Sequence, residues 1–373
     1  MATSPEPSMP TPEPAGRSGY TVAVVGATGL VGGEMVRLLE ARRFPVAALR
    51  LFATARSAGR TLPFRGRDVT VAETSEAALA ACDLVLFAGG DDASRRFAWS
   101  AAAAGAVVVD NSSTWRQDPR VPLVVPEVNG HALARHQGVI ANPNCCAAAL
   151  VMALAPLQRA VGLRRVVVST YQSASGGGAD TLRRLLDETR ALLQDPDALV
   201  RGDGERIAAL AGDRDPLAFN VRPQWRWGPD GMTEEEAKVV AETRKILEVD
   251  LPVSVTTVRV PVLVGHTLVV HADLAQPLTV EAARRLFAAA PGVAVEDAPE
   301  EDRYPTPLRA AGRDPVLVGR IRRVPGDEGA LTFVVASDNL RKGAALNAIQ
   351  IAEALVARGH LRPRSAPARV PGA

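Results

Sequence analysis

Thr21-Val22-Ala23-Val24-Val25-Gly26-Ala27-Thr28-Gly29-Leu30-Val31-Gly32 is the stretch from which the fold is read. Residues 21–25 are apolar and β-branched, which predicts a buried strand, and the pattern after Gly29 predicts an amphipathic helix to about residue 42. Glycines at 26, 29 and 32 permit a tight turn, close approach of a pyrophosphate to the backbone and close helix packing, while the helix N-terminus offers N–H donors and a positive dipole end. The turn residues Gly26, Thr28, Gly29, Leu30 and Val31 are therefore assigned to a dinucleotide. A plain structural turn of the same spacing stays open. A second strand is predicted over 48–54. An NAD-binding fold carries an acid near the end of that strand, yet no Asp or Glu lies between Glu40 and Asp68. Thr54, Arg56 and Ser57 stand there instead, and hydroxyls with a guanidinium suit a 2′-phosphate, so NADP is expected. An exposed loop arginine is the alternative. Further strands over 69–71, 84–88, 106–110 and 138–141, with a helix over 93–104, alternate as βα units. The fold class is α/β, a Rossmann-type doubly wound parallel sheet followed by more chain than one such domain needs.

The 373 residues are 47% hydrophobic and carry a net charge of only +2 with both signs interspersed. That is enough apolar residue for a packed core and leaves no electrostatic footprint for nucleic acid; no apolar run approaches the ~20 residues of a membrane span. Residues 1–19 are rich in Pro, Ser and Glu and lack the basic start and apolar centre of a signal peptide, so they read as a disordered leader and the protein as cytoplasmic. Residues 361–373, rich in Arg, Pro and Ala, read as a flexible tail. The three cysteines, Cys82, Cys145 and Cys146, are too few for a disulfide framework and have no metal-ligand spacing to histidines, so reduced thiols and no metal are expected.

Ile140-Ala141-Asn142-Pro143-Asn144-Cys145-Cys146 carries the chemistry. A thiol after a dinucleotide turn, with an isolated Gly265-His266 further on, points to covalent hydride chemistry, in which a thiolate holds an acyl group while a nicotinamide exchanges hydride with it. Cys145 precedes a helical run from residue 147, whose dipole favours a thiolate. A small buried core residue is the competing reading. Among the five histidines, His131, His136 and His360 sit in polar contexts. His271 lies five residues after His266 and faces the other side of a continuous strand. His266 is the acid/base candidate, with a structural strand-start histidine as its alternative. Glu235, Lys238, Glu242 and Lys245 share one helical stripe, which salt bridges on a solvated surface would also explain. Arg116 and Arg259 read equally as ion-paired surface residues, Gln172 as a strand-end polar group, and the glycines of 175–178 as a hinge.

The blocks Gly26 to Gly32, Ala55-Arg56-Ser57-Ala58-Gly59, Asp110-Asn111-Ser112-Ser113-Thr114-Trp115-Arg116, Val125-Pro126-Glu127-Val128-Asn129 and Asn142-Pro143-Asn144-Cys145 resemble the aspartate-semialdehyde dehydrogenases. So do Ser169-Thr170-Tyr171-Gln172, Glu242-Thr243-Arg244-Lys245-Ile246, Arg259-Val260-Pro261-Val262 with Gly265-His266, and Ser337-Asp338-Asn339-Leu340-Arg341-Lys342-Gly343-Ala344, in the family's order. The resemblance implies NADP-dependent interconversion of aspartyl 4-phosphate and aspartate 4-semialdehyde, for lysine, methionine and threonine biosynthesis, through a thioester on Cys145 with His266 as acid/base. It implies that Gln172 orients the acyl group, that Arg259 and Glu235 hold the substrate's α-carboxylate and α-ammonium, and that Arg116, Lys238 and Asn111 hold phosphate. Ser175, Gly176 and Asn339 would meet the nicotinamide end. It further implies a nucleotide domain over 20–144, an α+β substrate and dimerisation domain over 145–336, a helix returning over 337–360, and a homodimer or homotetramer. Cys146, where the family usually has a hydroxyl, is expected to pack inertly or to capture an oxidised Cys145. The aromatic and basic run Arg222-Pro223-Gln224-Trp225-Arg226-Trp227 departs from the family and is expected at a dimer contact or a substrate rim. A relative acting on another acyl phosphate or an acyl-CoA, or a non-catalytic NADP-binding paralogue, are the alternatives.

Overall fold

The computed structural model describes residues 19–223 and 226–363. Of the segments read above, the leader before Gly19, the pair Gln224 and Trp225, and the tail beyond Pro363 lie outside the described residues. The first half is built from β1 (Tyr20–Val25), α1 (Leu30–Ala41), β2 (Val46–Ala53), β3 (Thr61–Phe64), β4 (Arg67–Glu73), α2 (Glu76–Ala80), β5 (Leu84–Phe87), α3 (Gly90–Ala103), β6 (Val107–Asp110), α4 (Pro126–Asn129) and β7 (Val139–Ala141). Its sheet has the order β3-β4-β2-β1-β5-β6-β7. Every residue of β1 is buried. That suits a strand covered on both faces, where apolar residues run continuously rather than alternate. All neighbours in this sheet are parallel except β3 and β4. That antiparallel edge hairpin is absent from the sequence reading. Arg65 and Gly66 close it, both with positive φ (50° and 73°), the two-residue turn whose twist matches that of the strands.

Strands β2 and β5 flank β1, so the chain reverses its direction of sheet growth at the end of β1, and the glycine turn sits in the resulting crevice. The backbone there admits nothing larger than hydrogen. Gly26 has φ +80°, and a Cβ at Gly32 would lie 2.2 Å from the Gly26 carbonyl oxygen. The Gly26 and Ala27 N–H groups donate to the Phe52 carbonyl, which ties the turn to the end of β2, just before Thr54.

The second half comprises α5 (Cys145–Val161), β8 (Leu163–Gln172), α6 (Gly178–Leu192), α7 (Pro196–Arg201), α8 (Gly204–Ala211), α9 (Glu234–Leu247), β9 (Val253–Arg259), β10 (His266–Leu274), α10 (Val280–Ala289), β11 (Val293–Val295), α11 (Pro307–Ala310), β12 (Val316–Val324) and β13 (Asp327–Ser337). Its sheet runs β11-β12-β13-β10-β8-β9, with β10 antiparallel to both neighbours. Residues 146–155 and Leu157 of α5 are all buried. They pack in one core with Val85 and Phe87 of the first sheet and Val166 and Leu268 of the second. A helix apolar around its circumference belongs inside, and here it welds the two sheets. Burial alternates strictly along β10, with His266, Leu268 and Val270 inward and Thr267, Val269 and His271 outward. The outward face of this sheet also leaves Val167 and Tyr171 exposed.

After β13 the chain returns through a π-turn, Arg341–Ala345, into α12 (Leu346–Ala357), which joins the core of the nucleotide domain. The helix expected over 337–360 is shorter, and the wide turn replaces its start. Lys342 explains the difference. Its ammonium is buried and donates to Glu127 Oε2 (2.6 Å), Asn347 Oδ1 (2.9 Å) and Gln350 Oε1 (2.7 Å), so the backbone opens to carry that side chain inward. Among the described residues no helix is long and apolar enough to cross a membrane.

Replacing Gly32 by Ala forces α1 off the turn. We expect Gly32→Ala to lose at least ~2 kcal/mol of stability, read as a lowered midpoint in denaturant unfolding, and to weaken dinucleotide binding in the same protein.

Candidate active site

Asn144 is where the site is assembled. Its side-chain oxygen accepts from the N–H groups of Cys146 (2.8 Å) and Ala147 (3.2 Å). It thereby caps α5 and makes Cys145 the first helical residue. Its side-chain amide donates to Glu235 Oε1 (2.8 Å), and its backbone N–H donates to Glu242 Oε2. Both carboxylates come from α9, whose N-terminus is set by a capping box between Thr233 and Glu236. Cys145 Sγ lies 3.2 Å from His266 Nε2, at the start of β10. Gly265, at φ +93°, precedes His266, and a Cβ there would meet the Pro307 carbonyl oxygen at 2.6 Å.

A cavity of about 260 Å³ opens over Cys145, with His266 buried behind it. Val31, Asn111, Arg116, Gln172, Lys238 and Arg259 line it, as do Ser175, Gly176, Glu235 and Asn339. The two ends of the dinucleotide reading are therefore linked, since Val31 belongs to the glycine turn. Gly26, Thr28, Gly29 and Leu30 lie along that turn outside the cavity. Thr54 and Arg56 are exposed and Ser57 half-buried in the turn after β2, also outside it.

Arg116 is buried with all three nitrogens bonded: Nε donates to Asn142 O (2.9 Å), Nη1 to Glu242 Oε1 (3.0 Å) and Nη2 to Asn111 O (2.8 Å). Each terminal nitrogen keeps one further N–H. Lys238 has no ion pair among the described residues and is half-buried at the cavity wall. Asn111 gives an amide N–H to Phe87 O (2.8 Å), while its side-chain oxygen is buried without a partner. Gln172 spends its amide on Thr170 Oγ1 (3.2 Å) and Glu235 Oε1 (3.3 Å). Arg259 donates through Nη1 to Ser173 O. A Cβ at Gly176 would meet Arg259 Nη1 at 3.0 Å and His266 Nε2 at 3.1 Å, so both groups crowd one glycine. Asn339 is held inside the scaffold, its oxygen accepting from Gly265 N–H (2.9 Å), Ser173 Oγ (3.0 Å) and Ser175 Oγ (3.1 Å).

Sequence reasoning missed Glu242, Ser173 and Gly343. Glu242 was read with a solvated stripe, yet it is fully buried and is the shared partner of Arg116 and the Asn144 turn. Its register with Glu235 and Lys238 was the available signal. Gly343 packs on Cys145, where a Cβ would come within 2.8 Å of the cysteine's own.

The Cys145 thiol is held well below its ordinary range, first by a hydrogen bond from Cys146 and then by His266 and the Arg259 charge, against the opposing effect of burial. Burial, then the neighbouring thiolate, push Cys146 up. The two thiols are therefore pushed in opposite directions. Burial likewise raises the Glu242 carboxyl, with the Arg116 charge opposing.

Residues 21–136 match the family described as "Semialdehyde dehydrogenase, NAD binding domain", and residues 154–342 match "Semialdehyde dehydrogenase, dimerisation domain". The aspartate-semialdehyde dehydrogenase of Aquifex aeolicus is 44% identical over 346 residues, covering 91% of this chain and 99% of its own length. This chain belongs to the aspartate-semialdehyde dehydrogenase family. As such it is an NAD(P)-dependent oxidoreductase of amino-acid biosynthesis, built for oligomerisation through its second domain. Among solved structures, aspartate semialdehyde dehydrogenase II of Vibrio cholerae, complexed with ASA, is 38% identical with a TM-score of 0.83 and covers 91% of this chain and 98% of its own. The aspartate semialdehyde dehydrogenase of Candida albicans, with NADP, is 26% identical with a TM-score of 0.69, covering 92% and 99%.

Alkylation of Cys145 by iodoacetamide requires the thiolate, so its rate rises with pH through the thiol's pKa. Cys146→Ala removes a hydrogen bond to that charge, an interaction worth ~1.5–3 kcal/mol. We expect the half-maximal pH to move upward by about one to two units.

Proposed function

We propose that this family member reduces L-aspartyl 4-phosphate to L-aspartate 4-semialdehyde with NADPH, through an acyl-thioester on Cys145. The observation that carries the reading is the 3.2 Å contact of Cys145 Sγ with His266 Nε2, under a cavity that also holds Arg116, Lys238, Glu235 and Arg259. The Cys145 thiolate attacks the acyl carbon. The C–S bond forms, the carbonyl pair moves to oxygen, and on collapse the C–O bond to phosphate breaks, its electron pair leaving with phosphate, which takes a proton from solvent. Free Lys238 and the remaining N–H groups of Arg116 stabilise that leaving charge, with Asn111 beside them. Arg259 pairs with the substrate α-carboxylate and Glu235 with its α-ammonium. The engaged amide of Gln172 leaves its carbonyl oxygen facing the acyl group. An amino-acid substrate therefore fits better than a plain acyl-CoA, which offers neither charge.

The crevice fits a dinucleotide pyrophosphate, because Gly26 and Gly32 leave no room for a Cβ and α1 begins beside them. Thr54, Arg56 and Ser57 supply hydroxyls and a guanidinium for the 2′-phosphate of NADP, the cofactor named for the Candida albicans relative. When bound, NADPH supplies hydride to the thioester carbon. His266 holds that carbon's oxygen beside the sulfur, Ser175, Gly176 and Asn339 meet the nicotinamide end, and collapse returns the Cys145 thiolate with the aldehyde. Pairing of two copies through the outward face of β8 and β10, with exposed Val167 and Tyr171, gives the homodimer or homotetramer we expect. We read residues 20–144 and 145–336 as the two working domains, serving lysine, methionine and threonine biosynthesis in the cytoplasm.

The test is steady-state formation of NADPH from aspartate semialdehyde. Turnover is expected only with phosphate, faster with NADP than NAD; phosphate-independent turnover overturns the acyl-phosphate step. Lys238→Ala is expected to raise the phosphate KM ~10–100-fold, the loss of one charge-assisted contact, while the aspartate semialdehyde KM changes less than threefold. Arg56→Ala is expected to narrow the ratio of NADP to NAD efficiency about tenfold or more, read from kcat/KM for the two cofactors.

A further inference from the structure

His266 touches more than Cys145. Its other ring nitrogen, Nδ1, accepts the backbone N–H of Ser173 at 3.0 Å. A backbone N–H can only donate, so Nδ1 must offer a lone pair. The Ser173 hydroxyl lies 3.1 Å from the same nitrogen and has one proton to place on Nδ1 or on Asn339 Oδ1; placed on Nδ1, it too needs the lone pair there. The Asn339 amide is oriented by Gly265, whose N–H donates to Oδ1, while its Nδ2 donates to Ser175 Oγ at 3.0 Å. A proton on Nδ1 would set N–H against N–H in a buried site.

From this contact we infer that Ser173 fixes His266 as the neutral tautomer protonated at Nε2, so that in the resting enzyme His266 gives a hydrogen bond to the Cys145 sulfur rather than taking its proton. Ser173 is then a positioning residue acting through His266. The groups facing the ring agree. Arg259 Nη1 and His266 Nε2 approach the same point over Gly176, and a second positive charge beside a buried guanidinium is disfavoured. Cys145 and Cys146 supply one thiolate and one S–H on the other side, while Ser175 and Asn339 are uncharged. Positive charge for the thiolate comes from Arg259 and the N-terminus of α5, with hydrogen bonds from Cys146 and from Nε2–H. A neutral Nε2–H also suits an oxygen that becomes negative at the acyl carbon, since it donates a hydrogen bond throughout without a proton changing hands. This inference rests on the proposal that Cys145 is the nucleophile.

The experiment is two-dimensional nitrogen–proton NMR of the full-length protein labelled at histidine, near pH 7.5 and without substrate, with His266→Gln to assign the signals. One ring, lost in His266→Gln, is expected to show an unprotonated Nδ1 and a protonated Nε2, and to keep that pattern in Ser173→Ala, which retains the backbone donor. An imidazolium, an Nδ1–H ring, or a switch of tautomer in Ser173→Ala overturns the inference. A second reading uses iodoacetamide. With His266 neutral, His266→Gln, which can still donate to sulfur, is expected to slow Cys145 alkylation at pH 7.5 by no more than about tenfold. A fall of 100-fold or more means that the thiolate depended on an imidazolium and also overturns it. Neither readout uses turnover, so a protein with the expected ring state but no phosphate-dependent activity removes the substrate proposal and leaves the tautomer standing.

Discussion

The structure hangs on the two carboxylates of α9 that grip the turn before Cys145. Glu242 is fully buried and holds the Asn144 backbone N–H with one oxygen and Arg116 with the other. Glu235 holds the Asn144 and Gln172 side chains. A buried carboxylate is tolerated only when it is hydrogen-bonded, and these are bonded to residues that line the cavity or hold the turn before Cys145. Arg116, the cap of α5 and Gln172 are thus set by one helix. Removing either carboxylate would unseat several of them together, which is why they are best understood as a unit.

The two sheets contribute differently to this arrangement. The first delivers the dinucleotide crevice at the reversal of strand order. The second delivers Gln172, Arg259 and His266 from the adjoining ends of β8, β9 and β10. Helix α5 carries Cys145 on its first turn and fills the space between the sheets, so core packing and the position of Cys145 are one problem. The return segment closes the arrangement by laying Gly343 on Cys145 and burying Lys342 against Glu127.

What was legible in the sequence follows from how local each signal is. The β1 strand, its glycine turn and α1 are contiguous, and their periodicities survive in a short window. Cys145 at a helix start was readable from Asn144 and the apolar run after it. The β3–β4 edge hairpin was not, because Arg65-Gly66 is an uncommon pair for a turn usually marked by Asn or Asp before Gly. Glu242 looks like any helix-surface glutamate until Arg116, 126 residues away, is folded against it. Ser173 has no signal at all, since what it contributes is a backbone N–H. Likewise the contact of Cys145 with His266 spans 121 residues, and only the fold brings the start of α5 to the start of β10.

The central claim is that an acyl group rides on Cys145 between phosphate departure and hydride arrival. Mixing the protein with aspartyl 4-phosphate in the absence of NADPH, quenching in acid and mapping the adduct by peptide mass spectrometry tests it most directly. The account predicts stoichiometric release of phosphate and a hydroxylamine-labile aspartyl adduct on the peptide bearing Cys145, at Cys145 and not Cys146. Phosphate release only after NADPH is added, or an adduct on any other residue, would contradict it.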